Sequence, residues 1–158
     1  MTAVKQPPAM PLNAEEALAS FRFWVEMTSI VEAMFTDCTG LSMERKVDPL
    51  REGGVTDFEH QLPGRTTYPR IVLKRGFILS PKLYDWFQKG IKDGMVERIT
   101  FSIFLYDQAS KRVKTWNVKD AYPAKWEGPD LKTDGSQGVV ESIEIVHHGL
   151  TMVTEAAT

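Results

Sequence analysis

Residues 97–107, ERITFSIFLYD, place Ile99, Phe101, Ile103 and Leu105 on one face and Arg98, Thr100, Ser102 and Phe104 on the other. A period of two is the signature of a strand, because successive strand side chains point to opposite sides. The next four residues, QASK, have turn composition, and RVKTWNVKDAY follows them, so the two runs predict an antiparallel hairpin. A chain that commits to such a hairpin must cover its apolar face with more sheet or with a helix.

The rest of the chain supplies both. FRFWVEM alternates from Phe21, with Phe23, Val25 and Met27 on one side and Arg22, Trp24 and Glu26 on the other. IVEAMFTDC, residues 30–38, is rich in β-branched and aromatic residues and reads as a second strand, paired with the first across a short turn. YPRIVLKRGF returns to strand, with Pro69 at its start where a missing donor is tolerated. GVVESIEIVHHGLTMV closes the chain as a strand that continues past Gly149. A single segment has helical character. In SPKLYDWFQKGIKDG, Ser80 is placed as N-cap, Pro81 takes the first helical position, and Leu83, Trp86, Phe87 and Ile91 form an apolar stripe expected to bury the helix against the sheet as its core. Lys89 and Lys92 lie near the negative end, and Gly94 stops the helix. Six or seven strands and one helix predict a mainly β fold: an antiparallel β-sandwich or barrel with one flanking α-helix.

Residues 1–20 carry Pro7, Pro8 and Pro11, lack the uninterrupted apolar stretch of a secretory signal, and read as a flexible N-terminal arm. Residues 21–158 read as one domain, in keeping with a length of 158. Residues 42–67, SMERKVDPLREGGVTDFEHQLPGRTT, have clustered Gly and Pro breakers and almost no periodicity, which predicts a long loop. Loops beyond about 12 to 15 residues are uncommon in compact domains unless they have a task.

Motifs for chemistry are absent from this reading. The single cysteine, Cys38, has no disulfide partner, suits a protein made in the reducing cytoplasm, and reads as a half-buried structural thiol. His147 and His148 are neighbours on a strand and face opposite ways, which argues against a shared metal. Glu141 and Glu144 are three apart and do not form a carboxylate pair. Gly53 and Gly54 lack the strand and helix of a phosphate-binding loop. Lys74 and Arg75 read as a solvated strand end. Trp116, Tyr122 and Trp126, spread over a strand end and a Pro-containing loop, read as aromatics capping a core edge or anchoring an interface. A formal net charge of -2 provides no global attraction to nucleic acid or an anionic membrane. The expectation is therefore no catalytic, cofactor or metal site.

The order of short signatures is more informative: LREGG in the long segment, LPG, LKRGF on a strand, LYDWF on the helix, ERITFSIFLYD, TWNVKDAYPAKWEGPDL and the closing VVESIEIVHHGL. This succession resembles the tail tube protein family of contractile phage tails and phage-tail-like contractile injection systems, over roughly residues 20–153. Leu50, preceded by Pro49, stands where the family commonly has a tyrosine ahead of REGG.

The resemblance implies a tail-tube (Hcp-like) fold, six copies closing into a ring, rings stacking into a hollow tube, and no catalysis. It implies sheath and baseplate proteins as partners, a protein or DNA payload in the lumen, assembly in the cytoplasm, and residence in a virion or injection particle. A baseplate tube initiator of the same fold is the nearest alternative, and a small-ligand carrier barrel a more distant one. Within residues 42–67, Arg45, Lys46, Asp48, Arg51, Glu52, Asp57 and Glu59 are the candidate subunit-interface residues, because mixed charges on a long segment can fix the register of a neighbour.

Overall fold

The structure, a computed structural model, describes residues 21–28, 35–54, 56–76, 80–133 and 138–155. Among them are nine strands and one helix: β1 Arg22–Met27, β2 Asp37–Thr39, β3 Glu44–Leu50, β4 His60–Thr67, β5 Ile71–Gly76, α1 Lys82–Asp93, β6 Ile99–Tyr106, β7 Arg112–Glu127, β8 Val140–Val146 and β9 Gly149–Thr154. The expected fold class, antiparallel β with one helix, is the one observed. The N-terminal arm and most of the run 30–38 lie outside the described residues.

The predicted hairpin is β6–β7, with Ile103 opposite Trp116 and Phe101 opposite Val118. Its turn is held by the Asp107 carboxylate, whose Oδ1 accepts from the Lys111 backbone N–H at 2.9 Å. β1 flanks β6, and β9 flanks β7 on the other side, so the first sheet runs β1-β6-β7-β9. The second sheet runs β7-β8-β5-β2.

β7 belongs to both sheets, and its 16 residues correct the reading of 119–127 as a strand end followed by a loop. Asp120 at φ 51, within a register shift between Val118 and Ala121, and a second shift between Pro123 and Lys125 mark where the strand passes from one sheet into the other. From Tyr122 onward β7 pairs with β8 alone, and Pro123, opposite Ile145, stands at the register shift between Pro123 and Lys125, where a proline is tolerated.

Pairing also corrects the first strands. β1 pairs with β6, and β2, the described end of the run 30–38, pairs with β5 and not with β1. Hydrophobic alternation says that a strand has a buried face and says nothing about which strand lies beside it. The closing segment is two strands in different sheets, separated by a kink at His147 and His148.

The core lies between the sheets and beneath the helix: Val25, Met27, Ile71, Leu73, Leu83, Phe101, Ile103, Val118, Ile143 and Ile145 are essentially sealed from solvent. Packing fills the interior. A hollow of about 830 Å³ lies at the Glu127/Val140 end and is lined by Lys74, Glu127, Asp130 and Lys132 among others, which is not the apolar chamber of a carrier barrel.

α1 starts one residue later than expected. Pro81 occupies the cap position, Ser80 makes no side-chain cap bond, and the first closing bond runs from Asp85 N–H to the Pro81 carbonyl at 2.8 Å. Gly94 ends it in the left-handed conformation, φ 65, that glycine adopts most easily. Of the stripe, Leu83 and Trp86 are buried, Phe87 is half-buried, and Ile91 is 64% exposed, which corrects its placement in the core. At about 100° per residue, Gly90 rather than Ile91 continues the inward line of Leu83 and Trp86. Ile91 is turned about 100° from it. Val96 packs close against Gly90 instead.

Candidate assembly surfaces

Residues 42–67 are not an irregular loop. β3 and β4 pair antiparallel as a two-stranded ribbon, with Asp48 opposite Leu62 and Leu50 opposite His60. The expected absence of periodicity has a physical cause: no β3 residue is buried and β4 is nearly as exposed, so neither face selects for alternating side chains. The ribbon packs on itself and on no other described element to a comparable extent. Leu41 and Tyr68, at its two roots, tie it to the domain core. Gly53 and Gly54 form its tip, with open space around both, and Gly54 at φ 99 makes the turn.

The register sorts the ribbon into two faces. Val47, Pro49, Gln61 and Pro63 share one, and Asp48, Leu50, His60 and Leu62 share the other. Phe58 meets His60 edge to face at 5.0 Å, and Glu52 lies 3.4 Å from His60 Nε2, so both join the Leu50 face. Of the seven interface candidates, Arg51 and Glu59 pair with each other at 2.7 Å and Glu52 pairs with His60. These three bind the ribbon together near its tip. Arg45, Lys46, Asp48 and Asp57 are exposed along it. The charge-based reading missed Leu50, Phe58, Leu62 and Val47, all large, apolar and roughly half exposed or more. They stand at irregular spacing in a segment that looks polar, so no periodicity marks them.

The sheet β1-β6-β7-β9 presents a second surface on its side away from the core. Glu26, Ser102, Asn117 and Thr151 stand in register across all four strands, and Ser102 Oγ donates to Asn117 Oδ1 at 2.7 Å. The neighbouring row is Trp24, Phe104, Thr115 and Val153, where the Arg112 guanidinium lies over the Phe104 ring at 5.2 Å and is held by Glu155 at 3.0 Å. Among the described residues both ends of this sheet, β1 and β9, are open edges.

Elsewhere, polar groups serve the fold. Arg75, read as solvated, is buried. Its Nε donates to Glu141 Oε2 at 2.8 Å and its terminal nitrogen to the Ser80 carbonyl at 3.0 Å, while Trp126 Nε1 donates to Glu141 Oε1 at 2.6 Å. Glu144 is on the opposite face of β8, 2.9 Å from Arg70. Trp116 and Trp126 pack against the core, and Tyr122 lies under the Arg98 guanidinium. Cys38 is half-buried, and burial pushes its thiol up to about 11. His147 is buried against Tyr68 while His148 faces Arg98. Among the described residues no group of three or more His, Cys, Asp or Glu is placed to hold a metal, and no helix is long and apolar enough to cross a membrane.

Among the described residues, an antiparallel sandwich whose first sheet has an open edge at each end, with a projecting ribbon, defines a class of β-rich building block whose exposed features are surfaces. Residues 19–151 match the family model described as T4-like virus tail tube protein gp19, and the chain belongs to that family of structural tube proteins. It is similar to a chain in the cryo-EM structure of the anti-feeding prophage (AFP) baseplate, 6-fold symmetrised. That match has 25% identity and a TM-score of 0.77, and covers 92% of this chain and 98% of that one. A chain in the PVC sheath-tube complex of an extracellular contractile injection system, in its extended state, is 22% identical. It covers 92% and 100% of the two chains at a TM-score of 0.76. Hcp1 from Flavobacterium johnsoniae shares the fold at 15% identity and a TM-score of 0.52, covering 85% of this chain and 96% of that one. No curated protein sequence matches the chain.

Proposed function

We propose that six copies of this chain close into a ring, that rings stack into the inner tube of a contractile system, and that the tube is a structural conduit for a protein or DNA payload. One observation carries the ring. β1 and β6, β6 and β7, and β7 and β9 are each antiparallel, so the two open edges, β1 and β9, run in opposite directions. Setting β9 of one copy beside β1 of the next therefore continues strict antiparallel alternation in a head-to-tail contact. Such a contact repeats until the ring closes and removes every open edge of that sheet.

Closure in this sense leaves the face bearing Glu26, Ser102, Asn117 and Thr151 as the wall of the bore. That wall carries hydroxyl, amide and carboxylate groups in one row and Trp24, Phe104, Thr115 and Val153 in the next. The ribbon, with Arg45, Lys46, Asp48 and Asp57 exposed and Arg51, Glu52 and Glu59 bracing its tip, is the arm that reaches a neighbouring subunit. The similarity to chains of a sheath-tube complex and of a baseplate supports a surrounding sheath and a baseplate as partners.

Negative-stain images and native mass of the concentrated chain test the reading. Hexameric rings and rods are expected; a strictly monomeric species at millimolar concentration overturns it.

A further inference from the structure

We propose that Gly40 is the positioning residue that fixes the direction in which the β3–β4 ribbon leaves the domain, an inference whose part in assembly rests on the tube reading above. Among the described residues the ribbon packs on itself and on no other element to a comparable extent, so its direction is not held along its length. The direction is set at the root, in residues 40–43 of one leg and 68–71 of the other. These lie between the last β2–β5 pair, Thr39 with Val72, and the first β3–β4 pair, Glu44 with Thr67.

The two legs touch backbone to backbone at this root. Gly40 sits at φ 88, in the left-handed region, and its carbonyl accepts from the Ser42 N–H at 2.8 Å in a tight turn about Leu41. A Cβ on Gly40 would overlap the Arg70 carbonyl oxygen and stand 2.9 Å from the Arg70 carbonyl carbon and 3.1 Å from Ile71 Cα. All of these are backbone atoms, so no change of rotamer makes room. The legs are also tied to the domain: Leu41 and Tyr68 pack against the core, and the Arg70 side chain is held by Glu144 at 2.9 Å. Only glycine fits such a crossing. Its effect is magnified along the ribbon. Paired strands lie about 4.8 Å apart, so parting the legs at the root by about 1 Å tilts the ribbon by about 12°. The seven residues of β3 span about 23 Å, so the tip swings by about 5 Å, a full strand spacing.

The test reads the direction as a distance between two spin labels in the dilute full-length chain, one at Asp57→Cys near the ribbon tip and one at Lys92→Cys at the end of α1, both exposed, with Cys38→Ser as background. One narrow distance is expected. A distribution wider than the tip swing means a ribbon that moves freely, and overturns the assignment whether or not any further variant folds. Gly40→Ala is expected to shift the distance by about 5 Å while unfolding remains cooperative. Gly54→Ala, also at positive φ but with open space around it, leaves the distance unchanged. An unshifted distance in Gly40→Ala, or an equal shift in Gly54→Ala, overturns the assignment. Without the labels, Gly40→Ala raises the concentration needed for rods by about tenfold or more, and rods at the unmodified chain's concentration overturn its part in assembly. Absence of rods from the unmodified chain overturns the tube reading and leaves the distances to decide the direction.

Discussion

Replacing Glu141 with glutamine removes one charge from the Arg75–Glu141 pair and leaves the other buried. The Arg75 and Glu141 side chains are 1% and 5% exposed, so water does not take the lost partner's place. Glu141 also accepts from Trp126 Nε1 with its second oxygen, and a glutamine has one oxygen for two donors. Breaking a buried pair from one side costs about 3 to 5 kcal/mol. At about 2 to 4 °C per kcal/mol for a domain of this size, the melting temperature falls by about 6 to 20 °C. The assay is urea and thermal unfolding followed by circular dichroism, with Arg75→Met, Glu141→Leu and their combination alongside. The combination is expected to be at least about 2 kcal/mol more stable than the sum of the single changes allows, because two apolar side chains leave no unpaired charge behind. Trp126 is half-buried and its N–H can then turn to water. A loss below about 1 kcal/mol for Glu141→Gln, or additive single effects, refutes the reasoning and means that the pair is hydrated.

Three further outcomes are expected. Leu83→Ala costs about 2 to 5 kcal/mol in urea unfolding, whereas Ile91→Ala stays within about 0.5 kcal/mol; equal losses mean that the helix is rotated from its described position. Replacing residues 45–59 by a short Gly-Ser link keeps a cooperative thermal unfolding transition and abolishes rods in electron micrographs, since no residue of β3 or β4 is buried in its own domain. Unfolding of that variant would show that the ribbon supports the core. Cys38 resists thiol reagents at pH 8 in the native state and reacts on unfolding, because burial holds its pKa near 11 against an ordinary value of 9.0. For the same reason stability declines as pH rises from 9.0 toward 11, where the unfolded thiol ionises and the folded one does not. Native labelling at the rate of free cysteine contradicts both statements.

Local signals were enough for some elements. Alternation through residues 97–107 and 112–118 marked a hairpin, because a sheet with one face on a core must repeat every two residues. Gly94 marked the end of α1, because a left-handed cap excludes most side chains. The family resemblance likewise lay in short runs whose order survives without knowledge of their contacts.

The contacts themselves belonged to the tertiary structure. Arg75 and Glu141 are 66 residues apart, and no local pattern announces that a charge on one strand is answered from another. The β3–β4 ribbon was illegible because a strand exposed on both faces has no burial period to read. Whether β1 lies beside β2 or β6 depends on which edges remain free once the sheets stack. Ile91 illustrates both sides of the division. Its spacing from Leu83 and Trp86 was visible in the sequence, but which line of the helix points inward was decided by where α1 lies against β7, with Gly90 over Val96. Periodicity is a property of one segment, whereas partnership is a property of two, and only the folded chain brings the second segment to the first.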